Sequence, residues 1–152
     1  MKNMQEKVYS ENKKAYYDYE ILEKFSAGII LLGCEVKSIR TGHIALSGSY
    51  VVFNSNQEPI LIGSKIPPYQ PNNTAQDYKP ERTRKLLLSQ KEINYLAGKS
   101  KEKGFSLIPL KVYDKNGKIK LEFSLARGKK KYDKKEKIKN RDIARETQRE
   151  LS

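Results

Sequence analysis

The segment from Phe105 to Arg127 constrains the fold more than any other part of this 152-residue sequence. Asn116-Gly117 stands at its middle, a pair that supplies the two positive φ angles of a tight hairpin turn. In the second half, Ile119, Leu121, Phe123 and Leu125 alternate with Lys118, Lys120, Glu122 and Ser124. A period of two puts the first set on one side of a strand and the second on the other. The apolar side is expected to face a core, and the polar side solvent or a partner.

Other elements follow from similar signals. From Tyr16 to Leu32 the sequence turns aromatic and β-branched, and Ala27-Gly28 offers a bend, so one long kinked strand or two consecutive strands are expected. Leu32, Val36 and Ile39 recur at helical spacing before Gly42, which predicts a short amphipathic helix. Ser49 to Phe53 and Pro59 to Ile66 read as a second hairpin across the polar link Asn54 to Glu58. A loop rich in proline and asparagine, exposed and mobile, is expected from Pro67 to about Lys79. Glu81 to Leu88 places its acidic residue before its basic ones, as a helical turn prefers. Ser89 and Glu92 form a capping box for a further helix, with Ile93, Leu96 and Ala97 on one face and Gly104 beyond its end.

This pattern divides the chain into an arm, a domain and a tail. Residues 1–14 are polar with little periodicity and read as a flexible arm. Residues 15–128 carry several short strands with one or two helices, which fits a mainly β domain built as a small OB-type barrel. After Gly128 the apolar stripe is lost, and residues 129–152 are expected to be disordered when free. Within that tail Lys137, Arg141, Arg145 and Arg149 recur every four residues. On a helix they would form one basic stripe suited to phosphates; the alternative is a merely solvated tail.

Charge narrows the function. Lys and Arg number 31 against 18 acidic residues, a formal net charge of +13. Such an excess repels itself unless a polyanion neutralises it, and nucleic acid is the commonest polyanion. The longest apolar run, Ala27 to Cys34, is far short of a bilayer span, and the opening residues hold no signal-peptide core. A cytoplasmic protein without a membrane partner is expected. Cys34 and His43 are the only residues of their kinds, so no disulfide or Cys/His metal site can form within the chain. No nucleophile elbow or P-loop is present, so neither an enzyme nor a cofactor or small-molecule substrate is expected.

Candidate contact residues fall into groups. Arg82, Arg84 and Lys85 form one basic cluster, and Lys118 and Lys120 another. Tyr16, Tyr17 and Tyr19 offer rings on which unstacked bases could rest, or could instead pack on a core edge with their hydroxyls in water. A basic barrel of this kind could be a dedicated RNA adaptor, or a general single-strand binder or ribosomal protein.

Six motifs then resemble the SmpB family of SsrA-binding proteins, in the family's order over residues 12 to about 142. They are Asn12-Lys13-Lys14-Ala15, Asp18-Tyr19, Ala27-Gly28-Ile29, Gly33 to Ser38, Arg82 to Leu88, and Ala126 to Lys130 with Tyr132-Asp133-Lys134. The resemblance implies a barrel of about six antiparallel strands with three helices. It implies binding to the tRNA-like domain of transfer-messenger RNA and rescue of stalled ribosomes by trans-translation. By position, it implies RNA contacts at Glu35, Lys37, Leu87 and Lys120. Glu35 would accept hydrogen bonds from RNA, or orient Lys37 and a neighbouring arginine, or simply favour the first turn of a helix. The tail, with Lys129, Lys130, Tyr132, Asp133, Lys134, Lys135 and the basic stripe, would enter the decoding centre and the vacant mRNA channel of the small subunit. Three positions depart from the usual family residues: Tyr17 for histidine, Ser26 for glutamate and Lys135 for arginine.

Overall fold

A computed structural model describes residues 7–70 and 77–129. In chain order the elements are β1 (Lys7–Glu11), α1 (Lys13–Asp18), β2 (Tyr19–Ile29), α2 (Gly33–Arg40), β3 (Tyr50–Phe53), β4 (Pro59–Ile62), β5 (Arg84–Leu87), α3 (Gln90–Lys99), β6 (Phe105–Lys115) and β7 (Lys118–Gly128). Every strand pairing is antiparallel. The pairings run β6, β3, β4, β5, β2, β7 and back to β6, so six strands close on themselves. A closed ring has no free edge of its own and is compatible with the expected OB-type barrel. The seventh strand, β1, lies along the C-terminal half of β6.

The β6–β7 hairpin is where the sequence places it. Asn116 and Gly117 have φ of +54° and +82°, and the Asp114 carboxylate accepts a 2.8 Å hydrogen bond from the Gly117 N–H. Leu121, Phe123 and Leu125 face the barrel interior with Val51, Leu61, Leu86, Leu107 and Val112. Ile39 of α2 and Leu96 of α3 join the same core. Phe25 stacks on Phe123 with ring centroids 5.8 Å apart. Ser89 caps α3 through the expected box with Glu92.

Four expectations need correction. Lys7 to Glu11 is a strand and Asn12 is buried, its side-chain amide donating to the Pro109 carbonyl at 3.0 Å, so residues 7–14 of the expected arm belong to the fold, and residues 1–6 lie outside the described residues. Main-chain pairing with β6 satisfies this segment, which needs few apolar side chains to hold it. Tyr16 and Tyr17 lie in α1 rather than in a strand. That helix covers the outer face of β6 and β7 with Ala15 against Ile108, Leu110 and Ala126, so the hairpin's second face is partly core as well. Finally, residues 84–87 form strand β5, not a helical turn, because Ile60 and Leu61 of β4 and Gly28 and Ile29 of β2 supply pairing partners on both sides. Residues 71–76 of the loop after Pro67 and residues 130–152 of the tail lie outside the described residues.

Candidate nucleic-acid interface

Strand alternation in β5 explains the first group of candidates. Arg84 and Leu86 point inward and are buried, while Lys85 and Leu87 point outward and are exposed. Arg84 has no exposed surface and meets Glu35, which is also wholly buried. The Arg84 guanidinium donates to Glu35 Oε2 through Nη2 at 2.6 Å and Nε at 3.1 Å. Arg82, on the loop before β5, grips the same carboxylate through Nη2 to Oε1 at 2.6 Å and Nε to Oε2 at 2.9 Å. The Leu32 N–H adds a bond of 2.9 Å. Tyr78 completes the cluster: its hydroxyl donates to the Ile66 carbonyl at 2.7 Å and lies 3.1 Å from Glu35 Oε2.

Burial alone would push the Glu35 carboxyl up, but hydrogen bonds from Arg82, Leu32 and Arg84 outweigh it and hold the pKa below the ordinary carboxylate value. Burial and the neighbouring Glu35 charge push the Tyr78 phenol up to about 12. Glu35 and Arg84 therefore have no surface with which to touch RNA. Two of the readings for Glu35 have direct counterparts in the geometry: it holds neighbouring arginines, Arg82 and Arg84, and from the first turn of α2 it accepts the Leu32 N–H. It fixes Arg82, whose side chain keeps 29% exposure, and ties the loop after β4 to α2.

Leu87, Lys118 and Lys120 come together in a groove of about 400 Å³, floored by Gly28 and Ile29 and walled by Val36 and Arg40 of α2. Gly28 pairs with Leu87 on one side and Lys120 on the other, so these residues form a row across three strands. Leu87 is 55% exposed, and Ile30 and Leu32 are exposed beside it. An apolar rim in a basic groove suits ribose and base faces, while the lysines suit phosphates. Lys37 stands exposed on α2, one turn before Arg40. Arg40 donates to the Gly117 carbonyl at 3.1 Å, which fastens α2 to the hairpin turn. Lys85 is exposed but engaged, its Nζ 2.7 Å from Glu58. Sequence reasoning missed Arg40, although its spacing from Lys37 on one helix was a usable signal. It also missed Tyr78, for which a proline-rich loop gives none.

The tyrosines lie at the opposite end of the same strands. Tyr19 pairs with Gly128, nine residues along β2 from the Gly28–Lys120 pair, roughly 30 Å at about 3.3 Å per residue. Tyr16 and Tyr17 are exposed on α1. The Tyr19 hydroxyl is 3.4 Å from that of Tyr50, and this hydrogen bond together with burial raises its pKa to about 12. Lys129 is not free tail: its N–H donates to the Asp18 carbonyl at 3.0 Å and its Nζ to the Tyr16 carbonyl at 3.3 Å. Candidates Lys130, Tyr132, Asp133, Lys134, Lys135, Lys137, Arg141, Arg145 and Arg149 lie outside the described residues. No helix among the described residues is long and apolar enough to cross a membrane.

Similarity to known proteins names the family. Residues 9–152 match the family model described as SmpB protein. An SsrA-binding protein of Sulfurihydrogenibium sp. is 50% identical, covering 96% of this chain and 95% of that one. Another, from Syntrophobacter fumaroxidans, is 52% identical over 91% of this chain and 85% of its own. A solved structure described as "tmRNA-SmpB: a journey to the center of the bacterial ribosome" holds a similar chain, 44% identical with a TM-score of 0.66. The match covers 80% of this chain and 85% of that one. With a family match over nearly its whole length and relatives at half identity, the chain belongs to the SmpB family of SsrA-binding proteins.

Proposed function

We propose that this protein binds the tRNA-like domain of transfer-messenger RNA in the basic groove and delivers it to stalled ribosomes for trans-translation, without catalysing a reaction. The observation that carries this reading is the groove itself, where Lys118, Lys120 and Arg40 surround the exposed Leu87. Relatives at half identity are SsrA-binding proteins, and the similar solved chain is an SmpB described with tmRNA and the bacterial ribosome. Lys37 and Arg82 extend the positive surface, and Glu35 and Arg84 act by holding Arg82 and the loop in place.

The far end of the barrel serves the ribosome. Tyr17, Tyr19 and the exit of the chain at Lys129 lie roughly 30 Å from the groove, so one molecule can hold an RNA at one end and reach past it at the other. Residues 130–152 then act as the decoding-centre tail in the vacant mRNA channel, with Tyr132 to Lys135 and the Lys137 to Arg149 stripe on rRNA. The barrel domain and the tail are in this reading separate working parts of one cytoplasmic protein.

Competition binding at fixed physiological salt tests the RNA assignment, with the tRNA-like domain as probe and ordinary tRNA and poly-U as competitors. A large excess of either competitor should fail to displace the probe. Equal competition by all three would reduce the protein to a general basic barrel and overturn the assignment.

A further inference from the structure

Leu87 stands between two grooves of different chemistry. The basic groove lies on one side. On the other is a groove of about 310 Å³ between the β3–β4 turn, β5 and the start of α3, where Asn56, Gln57, Glu58, Lys85 and Gln90 meet. Leu87 lines both. In the second groove the charges cancel, since Lys85 Nζ and Glu58 Oε2 are 2.7 Å apart. What remains is three neutral amides, Asn56, Gln57 and Gln90, beside an apolar strip that includes Pro59, Leu88 and Ile93. Among the described residues the exposed Asn56 and Gln57 side chains have no hydrogen-bond partner, while Gln90 Nε2 donates to Asn94 Oδ1 at 2.9 Å and leaves its Oε1 as an acceptor.

Asn56 and Gln57 are presented by a fixed turn, and Gln90 by the first turn of α3. Asn54 Oδ1 accepts from the Asn56 and Glu58 N–H groups at 2.9 Å each, and Gln57 is held at φ +62°. An amide carries both a donor and an acceptor and so can match a base edge, whereas a lysine recognises only the charge of a phosphate. Sequence-selective RNA contacts fall on unpaired bases whose edges are open.

We infer that the RNA in the basic groove crosses Leu87 and places an unpaired base in this second groove, where Asn56, Gln57 and Gln90 read its edge. Leu87 packs on the base or its ribose at the crossing. Affinity then comes from one side of Leu87 and selectivity from the other. The inference rests on the basic groove being the RNA site.

Binding of the tRNA-like domain and of ordinary tRNA, each over a range of salt, separates the two roles. The variant Asn56→Ala/Gln57→Gly avoids a Cβ at positive φ. It should lose about tenfold in affinity for the tRNA-like domain, with an unchanged salt slope and unchanged tRNA binding. Gln90→Ala, on the surface of α3, should give a similar selective loss without touching the turn. Lys118→Ala/Lys120→Ala should weaken binding to both RNAs and flatten the salt dependence by about one to two charges. Wild-type affinity in both amide variants, with the lysine variant weakened, would leave the second groove empty and sink this inference alone. Wild-type behaviour of the lysine variant would instead remove the basic groove as the RNA site.

Discussion

Glu35 is the residue on which the site's geometry turns, because its carboxylate is the shared acceptor of two guanidinium groups and one backbone amide. Arg84 has no route to water, so loss of the carboxylate's charge leaves a buried cation uncompensated. Glu35→Gln should therefore cost about 3–5 kcal/mol of stability, measured by chemical denaturation. Arg82→Ala should cost less, since its side chain is partly solvated and the Arg84 pair remains. Acid should act through the same group. The folded pKa of Glu35 lies below its unfolded value, so its contribution is full above the unfolded pKa and lost as pH falls through the folded one. Wild type should lose melting temperature from about pH 5 downward, and Glu35→Gln should lose less over the same range. An identical decline in both proteins would show that other carboxyls govern acid unfolding. The sequence marked Glu35 and the arginine cluster as functional but could not rank them by burial. Reading residues 81–88 as a helical turn put Arg82, Arg84 and Lys85 on one surface, whereas the strand sends Arg84 inward and Lys85 outward.

At the level of elements, legibility tracked how local the determining forces are. The β6–β7 hairpin and α3 are specified within their own residues, by a turn pair, an alternating face and a capping box. Strand β1 and helix α1 are not. Among its six residues α1 buries only Ala15, and β1 carries an exposed or half-exposed pattern throughout, so both exist because β6 and the outer sheet face receive them. Strand β5 is set by partners distant in sequence in the same way. The meeting of β3 and β4 depends on a close approach that sequence cannot reveal. Gly63 follows β4 at φ +80°, and a Cβ there would sit 2.9 Å from the Gly48 carbonyl oxygen and 3.3 Å from Ser49 Cα. Both contacts are backbone and cannot swing aside. Gly63→Ala should destabilise the barrel by roughly 2–4 kcal/mol in denaturant titration. Gly33→Ala makes an internal control, since a Cβ there meets nothing within 4 Å; a comparable loss in that variant would mean that the close approach is not the cause.

Across the whole chain, positive charge is divided between residues 1–129 and residues 130–152. Residues 130–152 carry nine basic and five acidic side chains, so nine of the thirteen net charges stay with residues 1–129. If the groove is the RNA site proposed above, its residues and most of the net charge are therefore retained without residues 130–152. Cutting after Lys129, rather than before it, also spares the bonds that fasten the end of β7 to α1. The truncated protein should bind the tRNA-like domain within about threefold of wild type, with a similar salt slope. Tagging of nascent chains on stalled ribosomes should nevertheless be abolished, because the residues proposed to contact the decoding centre are gone. A truncation before Lys129 is expected to lose some stability as well, which would blur the two effects. If the protein ending at Lys129 still supported tagging at the wild-type rate, the tail would not be the ribosome-facing element, and the tyrosine-bearing end of the barrel would have to carry that contact by itself.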